Sequence, residues 1–318
     1  MVASGPAEVP RVAVAVSGGP DSLALLHCTQ RMARDLGVQV VALHVHHGLQ
    51  AAADAWLARL KAQCRRWGVP LVWCRLATRP EAGDSVQAWA RRERYAALAG
   101  MAAENHCGLV LLAQHRRDQA ETWLLQALRS GGPQGLASMA PRFERHGAVW
   151  MRPWLAFGRE AIDAYVRRHR LRPVDDPANH DPRYARSRVR QTVWPALSAA
   201  FPQAEVALAG AAERAAEAAL LLDEIAAADR PPCVGEAGLR VAGLLTLSEP
   251  RRANLLRHWL AEVLAGPVPE SLVRRLVSEL PARGGSRWPA ERAGEPGFLR
   301  LQRGVLAWVE AGPPGVGN

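Results

Sequence analysis

An alternation of short apolar segments with amphipathic ones, running from Val12 to Arg170, constrains the fold more than any other feature of the sequence. Apolar strands separated by helices are typical of a parallel sheet with helices on both faces. We therefore predict an α/β fold with a doubly wound parallel sheet, whose ligands bind beyond the carboxyl ends of the strands. The predicted strands are Val12–Val16, Val38–Gly48, Val69–Leu76, Gly108–His115 and Ala148–Trp154. The predicted helices are Asp21–Leu36, Ala53–Trp67, Ser85–Asn105, Asp118–Arg129 and Arg159–Arg170.

A second, smaller and mainly helical domain is predicted to follow. A polar, basic and turn-rich segment begins at Arg172, and an alanine-rich helical stretch covers Phe201–Asp229. The segment Arg230–Gly238 contains two prolines and two glycines, which predict that it breaks this helix. Two short helices and two or three short strands are expected between Leu239 and Glu310. We place the domain boundary within the alanine-rich stretch, giving domains 1–205 and 206–318.

The charge balance points to a polyanionic partner. The formal net charge is +10 and the isoelectric point is about 10.5. Nucleic acid is the first candidate, and an arginine-rich background without a ligand is the alternative. Lys61 is the only lysine among the 40 basic residues. The glycine–lysine phosphate loop of ordinary P-loop NTPases is therefore absent.

The cysteines and the hydropathy pattern favour a cytoplasmic protein. No pair of cysteines forms a Cys-x-x-Cys motif, so neither a zinc ribbon nor an iron–sulfur cluster is indicated. No apolar run reaches the roughly 18 residues of a membrane span, and "VAVAV" lacks the basic leader of a secretory signal. Reduced, mostly buried thiols are predicted for all five cysteines: Cys28, Cys64, Cys74, Cys107 and Cys233.

The segment "SGGPDS" between the first strand and the first helix has the composition of an anion-binding turn. Its glycines let the backbone approach a ligand, and its proline suits the first turn of a helix, whose free N–H groups attract anions. The Asp21 carboxylate would repel phosphate unless Mg²⁺ lies between them. The alternative is a tight turn in which Asp21 and Ser22 only cap the helix. We predict that six consecutive residues contact the nucleotide phosphates: Ser17, Gly18, Gly19, Pro20, Asp21 and Ser22.

This segment resembles the Ser-Gly-Gly-x-Asp-Ser signature of the PP-loop ATP pyrophosphatases. In that family the loop holds the pyrophosphate end of ATP, and the substrate is adenylylated as pyrophosphate leaves. The resemblance therefore implies that the turn binds a leaving pyrophosphate and not a transferable γ-phosphate.

Further motifs resemble one branch of that family, the tRNA(Ile)-lysidine synthetases. Their order along the chain is that of the family, and a weaker similarity continues through Ser248–Leu260. The matching segments are "HVHHGLQ" (His44–Gln50), "ARRERY" (Ala90–Tyr95), "AQHRRDQAET" (Ala113–Thr122), "LRSGGPQGL" (Leu128–Leu136), "RPWL" (Arg152–Leu155) and "DDPANHDPRYARSRVR" (Asp175–Arg190).

The resemblance implies a reaction and a set of partners. Free L-lysine is joined to C2 of cytidine 34 in the CAU anticodon of tRNA(Ile), through an adenylylated cytidine, with release of AMP and pyrophosphate. The product, lysidine, pairs with A instead of G, so codon reading changes from AUG to AUA and acceptor identity from Met to Ile. The co-substrate is ATP and the metal is Mg²⁺. Residues 1–205 would be the catalytic domain, and residues 206–318 would include a small substrate- or tRNA-binding domain.

The resemblance also implies roles for individual residues. Asp21 would hold the metal, Asp118 and Glu121 would bind the amino groups of lysine, and His44 and His46 would contribute to the ATP site. A homodimer is left open by the sequence. The residues expected to take part in catalysis are Asp21, Arg94, Asp118, Glu121 and Arg186.

Three features depart from the family pattern. Arg117 stands where the family usually has the first of two aspartates, which questions metal coordination at that point. Pro177 and Ser187 replace the family's Ser and Asn in the last motif. The chain also ends before the additional C-terminal domain of longer members, and it is expected to have the shorter architecture.

Simpler interpretations of the motif residues remain open. The three histidines of "HVHH" could bind zinc, although no fourth ligand is placed nearby. Asp118 and Glu121 are spaced like a capping box, and Arg91, Arg92 and Arg94 could be a solvated helix edge. With the resemblance we favour ligand binding by the two carboxylates, and phosphate neutralisation by Arg94 and Arg186.

Two other functions compete with lysidine formation. One is that of a PP-loop tRNA thiolase, against which the absence of Cys-x-x-Cys counts. The other is that of a basic RNA-binding protein with a decayed loop, for which Arg117 is the best support. ATP-dependent release of pyrophosphate separates an enzyme from such a binding protein.

Overall fold

A computed structural model describes residues 9–46, 48, 52–76, 86–174, 181–266, 268–280 and 286–311, with side chains of the third helix described from residue 89 onward. The chain divides into two compact units, Met1–Ala216 and Glu217–Asn318, and the division falls within one long helix.

The first unit is built on a six-stranded sheet in the order β3-β2-β1-β4-β6-β5. All neighbouring strands are parallel except the β5–β6 pair. The prediction of an α/β fold with a parallel sheet is confirmed. The strands are β1 (Arg11–Ala15), β2 (Gln39–His46), β3 (Leu71–Arg75), β4 (Leu109–Leu111), β5 (Arg142–Arg145) and β6 (Ala148–Met151).

Helices connect these strands and continue into a helical segment at the end of the unit. The bounds of α2 agree with the prediction, and the other four predicted helices end within two residues of their expected limits. A single π-helical turn, Val189–Val193, lies between α7 and α8. The helices are α1 (Pro20–Asp35), α2 (Ala53–Trp67), α3 (Val86–Glu104), α4 (Arg116–Ala127), α5 (Pro133–Leu136), α6 (Arg159–Arg168), α7 (Ala185–Arg188) and α8 (Trp194–Ala200).

The sheet buries a core on each face because successive side chains of a strand point to opposite sides. On β1, Val12 and Val14 belong to one core, together with Leu26 of α1. Ala13 belongs to the other core, with Tyr95 of α3 and Trp150 of β6. Burying one side chain of leucine or valine size contributes about 1.5–3 kcal/mol to stability. The two cores together therefore hold the strands in place, and with them the start of each loop that follows a strand.

Most of the predicted strands are shorter in the structure, β6 for example ending at Met151 and not at Trp154, and two further differences are larger. The fourth strand was expected to extend to His115. Instead, β4 ends at Leu111, and the chain leaves the sheet at the carboxyl end of this strand. The antiparallel strand β5 was not expected, because its sequence, Arg-Phe-Glu-Arg, contains one apolar residue. β5 pairs with β6 as a hairpin at the sheet edge, where a single buried face suffices.

The second unit contains an antiparallel sheet in the order β7-β8-β11-β10-β9. It has more strands than the two or three expected. Its core contains Trp288, Leu256, Leu260 and Leu306. The strands are β7 (Val234–Gly235), β8 (Gly238–Arg240), β9 (Arg287–Arg292), β10 (Glu295–Gln302) and β11 (Val305–Glu310). The helices beyond the long one are α10 (Val241–Leu245), α11 (Glu249–Leu264) and α12 (Glu270–Glu279).

The long helix α9 covers Ala204–Cys233 and ends within the segment that was predicted to break it, four residues beyond the expected limit at Asp229. The helix can extend this far because Pro231 and Pro232 lie in its last turn. The φ angle of proline is compatible with a helix, and only the backbone bonds of the two proline nitrogens are lost. Cys233 is fully buried at the helix end. No helix in the described part of the chain is long and apolar enough to cross a membrane.

Candidate functional site

The candidate site lies at the carboxyl ends of β1, β2 and β4. The strand order changes direction between β1 and β4, and the helices that follow these two strands are α1 and α4. Such a switch point leaves a crevice between two helix N-termini, which is where doubly wound sheets bind ligands. The turn Ser17–Ser22 precedes α1, and the His115–Asp118 segment begins α4.

The turn before α1 is shaped by its two glycines. Gly18 has φ = 96°, a left-handed conformation that side chains rarely adopt. Gly19 is the N-cap of α1 and gives no side-chain cap, so the first N–H groups of the helix have no capping side chain. The hydroxyl of Ser22 accepts a hydrogen bond from the Ser17 backbone N–H (3.2 Å) and donates to the Gly19 carbonyl (3.1 Å). Ser22 therefore fixes the turn, and the alternative of simple helix capping by its hydroxyl is not what is observed.

Asp21 presents a carboxylate without a complete set of partners. Its Oδ1 atom is buried and has no hydrogen-bond partner among the described residues. Burial raises the pKa of Asp21 above its ordinary value, and its electrostatic interactions with His115 and Arg159 oppose this shift. A buried carboxylate oxygen without a donor is the kind of atom that a cation satisfies.

His115 links Asp21 to Asp118. Its Nε2 atom lies 3.8 Å from Oδ2 of Asp21 and 3.5 Å from Oδ2 of Asp118, and its ring is fully buried. Neither ring nitrogen has a hydrogen-bond partner among the described residues. The Asp118 carboxylate also accepts a hydrogen bond from the His115 backbone N–H at 3.2 Å. Asp118 therefore takes part in a capping box, but as its N3 residue with His115 as the N-cap, and Glu121 is not the capping partner that the spacing suggested.

Glu121 is almost completely buried and is bound by arginines from the 185–190 segment. The Nε atom of Arg190 lies 2.9 Å from both carboxylate oxygens of Glu121, and its Nη2 atom lies 2.7 Å from Oδ1 of Asp118. Arg186 lies 3.5 Å from Glu121 and donates to the hydroxyl of Thr122. We call Asp118, Glu121, Arg186 and Arg190 the Glu121 cluster.

No role was predicted for Arg190 from the sequence. It closes the last motif, four residues after Arg186, a spacing that puts both arginines on one face of a helix. That spacing was the available signal. His115 was also quoted within its motif without a role, and the structure places it at the centre of the site.

The remaining predicted residues lie around this crevice. The Arg94 side chain is half-buried on α3, within electrostatic range of Arg186, and burial and neighbouring arginines lower its pKa. His44 donates through its Nδ1–H to the Val16 carbonyl at 2.8 Å, and burial lowers its pKa, so its neutral form is favoured. His46 accepts a hydrogen bond from the Gly48 N–H at 3.1 Å. His44 therefore braces the backbone just before the turn, and His46 braces the backbone that follows β2.

The predicted motifs extend into positions that the structure does not describe. His47 and residues 49–51 of the histidine motif, and residues 175–180 of the last motif, including Pro177, lie outside the described residues. Across the described residues, no group of three His, Cys, Asp or Glu side chains is arranged to hold a metal ion.

Arg117, the departure from the family pattern, belongs to a second cluster. Its Nε atom lies 2.8 Å from Oε2 of Glu205, and the Nε atom of Arg116 lies 3.0 Å from Oε1 of the same carboxylate. The Arg117 guanidinium also lies 4.0 Å from the centre of the Trp194 ring. We call Arg116, Arg117 and Glu205 the Glu205 cluster. Arg117 thus has a complete environment away from Asp21.

Comparisons with known proteins identify the family. One family model, a PP-loop domain, matches residues 2–197, and another, the TilS substrate binding domain, matches residues 239–307. The tRNA(Ile)-lysidine synthase of Ralstonia nicotianae is 42% identical over 313 residues, 97% of this chain and 67% of that protein. The chain belongs to the tRNA(Ile)-lysidine synthase family. The family predicted from the sequence motifs is confirmed.

Other relatives agree with this assignment. The tRNA(Ile)-lysidine synthase of Bordetella bronchiseptica is 41% identical over 314 residues, 94% of this chain and 89% of that protein. Among solved structures, the U34-tRNA thiolase NcsA of Methanococcus maripaludis, described with its [4Fe-4S] cluster, has a TM-score of 0.55 at 15% identity. The structural match covers 66% of this chain and 74% of the thiolase chain. This likeness concerns the fold alone.

Proposed function

We propose that this member of the lysidine synthase family ligates free lysine to C2 of cytidine 34 in the CAU anticodon of tRNA(Ile). In the first half-reaction, O2 of the cytidine attacks the α-phosphorus of ATP, and pyrophosphate leaves. In the second, the ε-amine of lysine attacks C2, loses a proton and displaces AMP. Adenylylation is needed because a cytosine oxygen is otherwise a poor leaving group.

The observation that carries this proposal is the short distance between the two halves of the site. His115 lies within 4 Å of both the loop aspartate Asp21 and the Asp118 carboxylate. An adenylylated base bound at the turn is therefore adjacent to the carboxylates of α4, and a lysine held there can reach it. Holding both reactants in one crevice converts a bimolecular step into an effectively intramolecular one.

The turn and its surroundings are proposed to carry the first half-reaction. The N–H groups at the start of α1, which have no capping side chain, would hold the pyrophosphate at the Ser17–Ser22 turn. Arg94 and Arg186 would neutralise charge that develops on the α-phosphate. At the ATP site, His44 would hold the backbone before the turn through the Val16 carbonyl, and His46 would hold the backbone after β2 through the Gly48 N–H.

The Asp21 carboxylate fits a magnesium ion. Its Oδ1 atom is a buried oxygen that lacks a donor, and Mg²⁺ binds to one or two carboxylates while phosphate oxygens and water complete its shell. When bound, Mg²⁺ would supply neutralisation of the triphosphate charge. Arg117 would take no part, because its guanidinium is bound to Glu205.

Asp118 and Glu121 are proposed to bind the lysine substrate. At pH 7 an amine with a pKa near 10.4 is mostly protonated, and its deprotonation costs about 4.6 kcal/mol. A carboxylate beside the ε-ammonium can hold it and accept the proton as C2 is attacked. His115, between Asp118 and Asp21, can receive that proton in turn.

The partner and location follow from the reaction. The anticodon base must leave its stack to enter the crevice, which single-stranded RNA loops permit. The net charge of +10 favours binding of tRNA phosphates. A cytoplasmic location, where tRNA and ATP meet, is proposed with it. A homodimer stays a prediction, which the mass of the protein in solution tests.

The decisive experiment mixes the protein with ATP, labelled lysine and a CAU-anticodon tRNA(Ile) transcript. We expect label on the tRNA together with stoichiometric AMP and pyrophosphate. A transcript with C34 changed to U is the matched control and should receive no label. Pyrophosphate release without lysine transfer would contradict the proposal and favour another PP-loop reaction, whereas no nucleotide turnover would favour an RNA-binding protein.

A thiolase has little support from the described thiols. A thiolase needs reactive thiolates, but burial raises the pKa of Cys64 to about 11 and also raises the pKa values of Cys74, Cys107 and Cys233. All five cysteines are free in the structure. Replacement of lysine by a sulfur donor in the assay should therefore give no modified tRNA.

A further inference from the structure

Arg190 occupies the place at which the proposed lysine ammonium would bind. Its guanidinium bridges Glu121 and Asp118 with three contacts of 2.7–2.9 Å. Only 1% of the Glu121 side chain and 12% of the Asp118 side chain are accessible. A cation of the substrate can reach these carboxylates only after the guanidinium has moved.

Arg190 also faces the ATP side of the site. Burial by itself lowers the pKa of Arg190, but the carboxylates of Glu121, Asp118 and Asp21 outweigh burial and raise it. Asp21 feels the Arg190 charge in turn. One guanidinium therefore interacts with the lysine carboxylates and with the carboxylate of the phosphate-binding turn. An arriving triphosphate offers it a competing anion, and guanidinium groups bind phosphate in a bidentate manner.

The backbone at Arg190 is suited to a change of position. Arg190 is the second residue of the π-helical turn Val189–Val193, which separates the four-residue helix α7 from α8. A π turn contains one residue more than an α-helical turn, and such turns occur frequently at functional sites. A shift by one residue rotates a side chain about the helix axis by about 100°, enough to take Arg190 off Glu121.

We propose that Arg190 is a gate that makes lysine binding conditional on ATP. Without nucleotide, its guanidinium covers Glu121 and Asp118. When the phosphates of ATP or of the adenylylated cytidine occupy the turn, Arg190 transfers to them and the carboxylates become free for the ammonium of lysine. This inference rests on the proposed function, and it adds an order of binding: nucleotide first, lysine second. Arg190 is a positioning residue in this scheme.

The test is equilibrium binding of labelled lysine with and without α,β-methylene ATP, which cannot release pyrophosphate. For the unaltered protein we expect lysine affinity to rise about 5- to 150-fold with the analogue, the usual range of coupling between two sites. Arg190→Gln should bind lysine without the analogue and lose most of the coupling. Arg190→Lys, which keeps the charge but cannot bridge both carboxylates, should show intermediate coupling.

Arg188→Gln is the matched control. Arg188 lies on the same short segment, is exposed, and donates to the Pro182 and Arg183 carbonyls. It should keep the coupling of the unaltered protein. Loss of a purely structural arginine changes stability but leaves unchanged the ratio of lysine affinities measured with and without the analogue. This ratio therefore distinguishes a gate from a structural role, even if Arg190→Gln is less stable.

The outcomes also separate the gate from the proposed function. Equal lysine affinity with and without the analogue, in both the unaltered protein and Arg190→Gln, overturns the gate. The gate is also overturned if lysine binds neither with nor without the analogue. In either case, transfer of labelled lysine to the tRNA by the same preparation leaves the proposed function intact, and absence of transfer removes both.

Discussion

The Glu121 and Glu205 clusters begin on the same turn of α4 and differ in what surrounds them. In the Glu205 cluster, one carboxylate lies between two guanidinium groups, each bound to its own oxygen at 2.8–3.0 Å. In the Glu121 cluster, the Arg190 guanidinium is shared by Glu121 and Asp118, and a third carboxylate, that of Asp21, is within its electrostatic range. Arg186 adds a longer contact of 3.5 Å to Glu121. In the Glu205 cluster each carboxylate oxygen has its own guanidinium, whereas Arg190 is divided among several carboxylates.

The difference indicates which cluster can exchange its partners. The Glu205 carboxylate, which has a separate guanidinium on each oxygen, is expected to have a structural role, because removal of one partner leaves a charge without compensation. A guanidinium distributed over several carboxylates can be replaced by another cation at a smaller cost. We therefore expect changes in the Glu121 cluster and Asp21 to affect turnover, and changes in the Glu205 cluster to affect stability. The four predictions below test this division, from the largest effect to the smallest.

Asp21→Asn should reduce turnover by about 100-fold or more, because a metal-bound carboxylate contributes several kcal/mol of charge stabilisation. The change should nevertheless raise the melting temperature at pH 7. Burial raises the pKa of Asp21, so the stability of its protonated form is present at acid pH and is lost as the pH rises through the raised pKa. Asn keeps the neutral state at every pH.

Two measurements check this prediction, pyrophosphate release and melting curves from pH 7 downward. The difference in melting temperature should shrink as the pH approaches 3.8, the ordinary pKa of Asp. Unchanged pyrophosphate release by a folded Asp21→Asn protein would contradict the PP-loop mechanism. It would also contradict the hypothesis that only the Glu121 cluster and Asp21 serve turnover.

Glu121→Gln should raise the apparent KM for lysine by roughly 10- to 150-fold, because a charge-assisted hydrogen bond contributes about 1.5–3 kcal/mol. The KM for ATP should change much less, since adenylylation precedes lysine attack. The measurements are steady-state kinetics with varied lysine and with varied ATP, together with the melting temperature of the same preparation. Normal lysine dependence with a lowered midpoint would make Glu121 a structural residue like Glu205.

Glu205→Gln should lower the free energy of unfolding by about 1–3 kcal/mol, because Arg116 and Arg117 both lose a charged acceptor. The KM for lysine should stay within about twofold of the unaltered value, since this cluster does not contact the proposed lysine site. Urea denaturation and lysine kinetics of the same preparation measure both effects. A raised KM for lysine without a change in stability would contradict the prediction and would assign Glu205 to the lysine site.

Arg117→Ala should have the smallest effect, a loss of about 1 kcal/mol in stability from the ion pair and its stacking on Trp194. Half-maximal activity should occur at the same Mg²⁺ concentration as in the unaltered protein. A magnesium titration of activity checks this, with Arg116→Ala as the matched control. A changed magnesium requirement for Arg117→Ala alone would assign the residue to the metal site.

Short-range patterns predicted the parts of the molecule that depend on neighbours in sequence. The alternation of apolar segments fixed the parallel sheet because each period selects a strand or a helix. The glycines and the proline of the turn before α1 specified its conformation, since they permit angles that other residues avoid. The bounds of α2 were predicted without error for the same local reasons. The motif order was sufficient to identify the family.

Only the tertiary structure decided the partners of the charged residues. Glu121 and Arg190 are 69 residues apart in sequence, and Arg117 and Glu205 are 88 apart. No local pattern tells which of the 40 basic residues meets a given carboxylate, because that depends on which helix faces pack together. The sequence alone therefore determined the sheet, the turn and the set of reactive side chains. The packing of the 185–205 segment on α4 determined that Arg190 covers the carboxylates, and that Arg117 is held by Glu205.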